Sequence, residues 1–295
     1  MQAVIDPPTV ELRAGLVDAL TSAAARPSYR GGYWSFFTAG MLFDLAGYRA
    51  DLFIDKRVID LGCGATRPLT TSILFYLLGA ESTLALDLEQ PTDIGALAVS
   101  EYANILAILS GLAPVDWLRA QPDARVCRRK AADFDLAGLL AGDLYSSIPS
   151  PVSHKVGRYQ DLSEEDRQFG LMISNSVFEH VNDVESLMAC ARKSIAVNGY
   201  VYTSVDFRDH RAYSQSLSPW QYLVDGGDHE PGYINKLRFS AMRSIFERTG
   251  FSVVACRTKR ETPPEAISNA LLPIYRSLTD TDLRTMEAAF LLRPT

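Results

Sequence analysis

Two short stretches of this sequence place proton-handling side chains close together. "FEHV" sets Glu179 beside His180, and "SVDFRDH" brings Asp206, Asp209 and His210 within five residues. A histidine titrates near neutral pH, so it can take a proton from a reacting group, and a neighbouring carboxylate can orient its ring. His210 is therefore the first candidate for a general base, with Asp206 as its orienting partner or a contact to the reacting molecule. His180 is the second candidate. The plainer reading is that either histidine tethers a turn or sits in a surface loop. Asp206, Asp209 and His210 also contain atoms that bind divalent cations, but oxygen-rich cation sites need more converging carboxylates. "DGGDHE" at Asp225–Glu230 would have to supply them, and its glycines read equally as a lid, so no metal is expected.

A third stretch concerns binding. "VIDLGCGATRP", Val58–Pro68, runs an apolar strand into two glycines and then a proline. A dinucleotide fingerprint has a third glycine where this chain has Arg67, and that glycine lets helix and strand pack closely. Asp60, two residues before Gly62, is awkward for a diphosphate and well suited to a zwitterion carrying an ammonium group. Cys63 lies between Gly62 and Gly64, where a small side chain fits, and reads as packing. The four cysteines form no CxxC pair, which removes a zinc knuckle or disulfide framework and points to a reducing cytosol.

The elements that must carry these residues follow from periodicity. Val58–Leu61 is a continuous apolar run, the pattern of a strand covered on both faces. Pro68 marks the first turn of a helix over "LTTSILFYLLGA", with Gly79 as its stop. "STLALDLE" is the second strand, completing a right-handed βαβ unit. "TDIGALAVSEYANILAILSGL" is a helix, "SHKVGRYQDL" a third strand ending at Asp161, and "FGLMISN" a fourth. "DVESLMACARKSIAVNG" is a helix stopped by Gly199, "YVYTSVDF" the fifth strand, "RFSAMRSIFERTG" an amphipathic helix, and "FSVVACRT" and "AAFLLRP" closing strands. Strands alternating with helices give an α/β fold with a doubly wound sheet. Residues 1–55 read as a helical N-terminal extension or lid, and 56–295 as one domain with insertions at about 113–151 and 208–237.

Composition narrows the partners. Across 295 residues the formal net charge is -6, the wrong sign for binding a phosphate backbone. "RVCRRK" at Arg125–Lys130 is the one dense basic cluster and reads as a helix terminus. No apolar run approaches the roughly twenty residues of a membrane span, and the first residues lack a signal-peptide pattern. The expectation is a cytoplasmic protein with a small-molecule or glycan partner, no nucleic acid, no membrane span, and a homodimer left open.

"VIDLGCGA", followed by "ALDLE" and then by "YQDLSEEDRQFGLMISNSVFEHVNDVESL", resembles the cofactor site of class I S-adenosylmethionine-dependent methyltransferases. The likeness covers about Val58 to Phe207; its motifs are short, and their order and spacing carry it. Gly170 departs from the family pattern, which opens the fourth strand with an acidic residue. The resemblance implies a seven-stranded, mostly parallel sheet and S-adenosyl-L-methionine as cofactor. It gives Asp87 the two ribose hydroxyls, with Leu88 beside it and Glu89 as a weaker second acceptor. It gives Asp60, Gly62 and Gly64 the amino-acid portion. Asp161 and Leu162 take the adenine, ahead of "ADFD" at Ala132–Asp135, because Asp161 lies about ten residues before the fourth strand. Asn175 and Ser176 line the floor beside the sulfonium. The family carries EHV in enzymes with very different acceptors, which favours a structural job for His180.

For the acceptor, the segment from Arg208 to Leu237 and the start of the next helix offer Trp220, Tyr222, Tyr233, Asn235 and Arg238, flat faces with hydrogen-bonding tips. The block "DFRDH…PWQYL…YINKLR" loosely resembles methyltransferases of bacterial surface-glycan and natural-product pathways. The expected reaction is methylation of a hydroxyl on a small molecule or sugar in biosynthesis. N- or C-methylation, a nicotinamide-dependent oxidoreductase, and a non-catalytic subunit that binds the adenosyl cofactor are the competing readings.

Overall fold

A computed structural model of the protein describes residues 31–47, 49–109, 124–163, 168–227 and 233–295. Seven strands form one sheet: β1 Arg57–Leu61, β2 Ser82–Asp87, β3 Val152–Val156, β4 Phe169–Asn175, β5 Ile195–Asp206, β6 Phe251–Arg260 and β7 Thr285–Pro294. Their order is β3-β2-β1-β4-β5-β7-β6. The first five strands run parallel, and β7 inserts antiparallel between β5 and β6. The order reverses between β1 and β4, and open α/β sheets bind ligands at the carboxyl ends of strands flanking such a switch point.

Alternation along the strands divides the core in two. Val58, Ala85, Leu171, Ile173 and Tyr202 face one layer with the helices α1 Gly31–Leu45, α2 Thr70–Leu77 and α3 Ile94–Leu109. Ile59, Leu84, Met172, Val201 and Phe290 face the other, where they meet Leu187 and Met188 and, further along, Met242 and Phe246. Because both faces are covered, β4 reads as an apolar run through Ile173 and β1 as one interrupted by Asp60. The helix α4, Ala124–Ala131, carries the basic cluster in its last turn. There Lys130 donates to the Ala80 carbonyl at 2.7 Å and lies over the Tyr76 ring.

Among the boundaries that differ from the sequence reading, three have a clear local cause. The helix α5, Val184–Ser194, is capped by Asp183 on the Ser186 N–H at 2.8 Å, a cap typically worth about 1 kcal/mol. It ends at Ser194, and β5 begins at once. Gly199 is thus a strand residue rather than the helix stop. The β4–β5 register shifts between Phe169 and Leu171, and a Cβ on Gly199 would lie 2.9 Å from the Gly170 carbonyl. Close backbone approach at a bulge requires the glycine. The third strand stops at Val156 instead of Asp161, since Gly157 turns back to donate its N–H to the Asp87 carbonyl at 2.8 Å. Tyr159–Asp161 then form a 3-10 turn. The helix after Pro68 starts two residues later, at Thr70.

The described part of the N-terminal extension comprises α1 and, after it, a 3-10 turn at Ala50–Leu52. Phe36, Leu42 and Phe43 join the core, while Trp34 and Phe37 stay exposed and pack edge to face. The expected extension over residues 1–30 and part of the 113–151 insertion lie outside the described residues. Among the described residues, no helix is long and apolar enough to cross a membrane. The last helix needed below is α6, Phe239–Arg248.

Candidate functional site

The turn after β1 is built by backbone. Gly62 and Gly64 have φ of 75° and 77°, the left-handed region that glycine enters without steric cost. The two glycines are required for different reasons. A Cβ on Gly62 would lie 2.2 Å from Cγ2 of Val177, in the loop after β4. Gly62 therefore lets two strand ends close on each other. A Cβ on Gly64 would meet nothing within 4 Å, so that side of the turn is open.

Asp87 ties the turn to the end of β2. Its Oδ2 accepts the Gly64 N–H at 2.7 Å and its Oδ1 accepts the Glu89 N–H at 2.9 Å. Each oxygen of an ionised carboxylate has a second acceptor direction, so the anchored group can still receive a pair of hydroxyls. Asp60 lies beneath, buried, and burial pushes its carboxyl up to about 7. A Thr71 hydrogen bond opposes that shift and the Asp87 charge adds to it. Burial also raises the Cys63 thiol, helped by Asp60 and Asp87, so the residue stays protonated and is no nucleophile. Arg67 turns away into α3, where its guanidinium donates to Ser100 at 2.5 Å.

The remaining candidates around this turn sit at neighbouring strand ends. Leu88 is 67% exposed. Asp161 is exposed on the 3-10 turn, and Leu162 packs inward with Leu84 and Leu86. Asn175 accepts the Ser204 hydroxyl at 2.6 Å, and Ser176, at φ 55°, donates its N–H to the Ser204 carbonyl at 3.0 Å. A cradle open at Gly64, an anchored acceptor-only Asp87 and a buried Asp60 fit a zwitterion that carries a diol.

The two histidine clusters converge beyond β4 and β5. Glu179 is 3% exposed, and one of its oxygens accepts the Asp206 N–H at 3.1 Å. Burial pushes its carboxyl up to about 8, with the Asp206 charge adding. His180 Nδ1 donates to the Tyr233 carbonyl at 2.6 Å. The His180 and His210 rings lie 4.8 Å apart at 63°, and His210 Nε2 is 3.7 Å from Asp206 Oδ2. Burial holds His210 below the ordinary imidazole range, and Asp206 works against that shift. Asp206 accepts the Tyr213 hydroxyl and, at 3.0 Å, the Arg208 N–H. Asp209 is separate: it is buried and pairs with Arg211 at 2.5 Å, which makes it a brace for this loop. Asp225 binds the same guanidinium at 2.8 Å, while the rest of the expected lid, residues 228–230, falls outside the described residues.

Four of the five residues expected to contact an acceptor are internal struts. Trp220 Nε1 donates to the Leu283 carbonyl at 2.7 Å, and the Tyr222 hydroxyl to the Phe207 carbonyl at 3.1 Å. Arg238 is buried, and its guanidinium donates to the carbonyls of Phe207 at 2.7 Å, Thr285 at 2.7 Å and Asp282 at 2.9 Å. Asn235 clamps the carbonyls of Phe178 and Val181 at 2.7 and 2.9 Å. Buried polar tips need such partners, so Trp220, Tyr222 and Arg238 present little surface to a ligand, and the half-buried Asn235 has its side-chain amide committed to the turn. Tyr233 alone is open, at 53% exposure.

The open surface lies elsewhere. A cavity of about 890 Å³ begins at Asn175 and Ser176 and runs past Asp206, His210 and Tyr213. Trp34 and Phe37 of α1 form its apolar wall, and Arg257, Lys259 and Glu287 of β6 and β7 its charged one. None of those three was singled out in the sequence. The signal was the exposed, charged end of "FSVVACRTKR", but only the antiparallel pairing of Asp206 with Glu287 brings it to the site.

A family profile described as a methyltransferase domain matches residues 42–256. No curated protein sequence matches at a significant level. Among solved structures, the magnesium protoporphyrin IX methyltransferase of Synechocystis, determined with bound S-adenosylhomocysteine, is 11% identical with a TM-score of 0.47, covering 90% of this chain and 84% of that one. An S-adenosylmethionine-dependent methyltransferase of Mesorhizobium loti is 15% identical with a TM-score of 0.43, covering 85% and 95%. One from Clostridium acetobutylicum is 9% identical with a TM-score of 0.45, covering 89% and 92%. The profile spans well over half of the chain, so the protein belongs to the methyltransferase-domain family and is a class I S-adenosylmethionine-dependent methyltransferase.

Proposed function

We propose that the protein methylates a hydroxyl of a small molecule, a sugar or another compact polar metabolite. One observation carries this reading: the cavity shares Asn175 and Ser176 with the proposed cofactor floor and has Asp206 and His210 in its wall. At about 890 Å³ it lies within the roughly 300–1,000 Å³ of small-molecule sites. S-adenosylmethionine supplies a methyl group on a sulfonium, open to in-line displacement.

The chain's own residues bind, orient and handle the proton. Asp60 and the Gly62–Gly64 turn hold the amino-acid portion, Asp87 accepts the ribose hydroxyls, and Asp161 and Leu162 flank the adenine. Holding two reactants in line can contribute roughly 7–11 kcal/mol toward the barrier. At the acceptor end, Asp206, which lines the cavity, receives the hydroxyl proton, with His210 3.7 Å from its Oδ2 and the Tyr213 hydroxyl donating to it. A positioned base typically adds about 10²–10⁴-fold. The aromatic faces of Trp34 and Phe37 opposite Arg257, Lys259 and Glu287 suit an acceptor with one flat apolar side and one hydrogen-bonding side.

The test is an acceptor screen with cofactor carrying a ¹³C-methyl group. The products are read by nuclear magnetic resonance, which separates methyl on oxygen, nitrogen and carbon. A methoxyl product, diminished in Asp206→Asn, supports the reading. N- or C-methyl products alone overturn it.

A further inference from the structure

We propose that Glu179, His180 and His210 form a binding site for one divalent transition-metal cation. Each offers a ligand atom, and these atoms lie within 4.8 Å of one another. Two imidazoles and a carboxylate suit Zn²⁺, Mn²⁺, Fe²⁺ or Co²⁺, whereas Mg²⁺ and Ca²⁺ favour all-oxygen sets. Bonds of about 2.0–2.2 Å are usual for such ligands, so the widest pair closes on the ion.

A second observation points the same way. Glu179 is almost wholly buried, and its Oε2 has no hydrogen-bond partner. His210 Nε2 is likewise sealed and without one, since Asp206 Oδ2 at 3.7 Å is beyond hydrogen-bond range. Buried polar atoms are rarely left unpaired, and each such atom calls for an explanation. Here two orphans that can each offer a lone pair, a carboxyl oxygen and an imidazole nitrogen, belong to one cluster.

The third ligand is already prepared. His180 Nδ1 donates to the Tyr233 carbonyl, which leaves the Nε2 lone pair as the free end of the ring. Metal-binding histidines are commonly held in this way by a backbone carbonyl. That carbonyl lies two residues before Asn235, whose side chain is clamped to Phe178 and Val181. The outer shell is thus fixed by the same turn that presents Glu179 and His180. The set differs from Asp206, Asp209 and His210, since Asp209 is occupied by Arg211.

Three protein ligands leave coordination positions open, as catalytic metal sites do. His210 lines the cavity, so an oxygen of the acceptor is the natural further ligand and would be oriented by the ion. That role rests on the hydroxyl-acceptor reading; the site itself does not.

The chelator-treated protein is titrated with Co²⁺ alone, followed by visible absorption and calorimetry. The expected result is one Co²⁺ per chain with ligand-field bands that Zn²⁺ abolishes. Affinity should fall in Glu179→Gln and in His180→Ala by at least the ~10–100-fold that even an outer-shell loss costs. Glu179→Gln keeps an acceptor for the Asp206 N–H, and circular dichroism with S-adenosylhomocysteine affinity verifies the fold of both variants. Absence of binding to the wild type, or binding unchanged in both variants, overturns the site. A chelated enzyme that methylates hydroxyls yet binds no Co²⁺ overturns the site and leaves the proposed function intact. One that binds Co²⁺ through these residues and methylates only nitrogen supports the site and overturns the acceptor reading.

Discussion

The backbone N–H of Asp206 donates to Oε1 of Glu179 at 3.1 Å, joining the loop after β4 to the end of β5. Through this one bond, the two histidine-bearing stretches of the sequence, 27 residues apart at these positions, become one site. Glu179→Ala should leave the Asp206 N–H buried without an acceptor and cost about 1–3 kcal/mol. Glu179→Gln should stay much closer to the wild type. Urea denaturation monitored by fluorescence separates the two, and equal destabilisation would contradict the structural role of the bond.

The two glycines of the β1 turn should fail differently. Gly62→Ala drives a Cβ into Val177 at 2.2 Å and strains a φ of 75°, so it should lower the melting temperature strongly. Val177→Ala in the same chain should recover part of that loss. Gly64→Ala meets no neighbour and carries chiefly the backbone strain, on the order of 1–2 kcal/mol, yet it should weaken cofactor binding. Thermal melts together with calorimetry test the split; a Gly64→Ala protein with unchanged affinity would refute an open cradle at that position.

Asp60 should make cofactor affinity pH-dependent. In the free chain its carboxyl is half protonated at about 7, and a protonated acid cannot pair with an ammonium group. Between pH 5.5 and 7.5 the ionised fraction rises, so affinity for S-adenosylhomocysteine should increase about 20-fold and then flatten. The same shift has a consequence for folding. The folded chain keeps a proton that the unfolded chain, with an ordinary carboxyl near 3.8, releases at lower pH. The Asp60 contribution to stability is therefore fully present below about 3.8 and declines as pH rises through 7. Asp60→Asn should remove both dependences, which calorimetry and denaturation at a series of pH values would show.

Arg238 should matter for folding rather than for substrate. Its guanidinium satisfies the carbonyls of Phe207, Asp282 and Thr285, and Arg238→Lys cannot reproduce the planar fork. A loss of about 2–4 kcal/mol is expected, with the KM of the folded fraction unchanged. A KM effect without a stability effect would return Arg238 to the acceptor surface.

Sequence and structure part company at identifiable places. "FGLMISN" reads correctly to the residue as β4, because a strand covered on both faces has one apolar signature. The Asp87–Gly64 link was half visible: the residue types were, while the N–H to carboxylate bond joining them was not. Trp220, Tyr222 and Arg238 were misassigned because an aromatic, polar loop has the same composition whether it lines a site or braces the fold. Their buried partners are backbone carbonyls, which leave no mark in sequence. Arg257, Lys259 and Glu287 reach the cavity only through the antiparallel insertion of β7, a long-range pairing that no local pattern encodes.

Where the cofactor binds is measured directly by calorimetry of S-adenosylhomocysteine binding to the wild type and to Asp87→Ala. Saturable one-to-one binding by the wild type is predicted. In the variant it should be weakened by about 10-fold or more for each lost hydrogen bond to the charged carboxylate. Equal affinity in the two proteins would contradict a site at the carboxyl ends of β1 and β2.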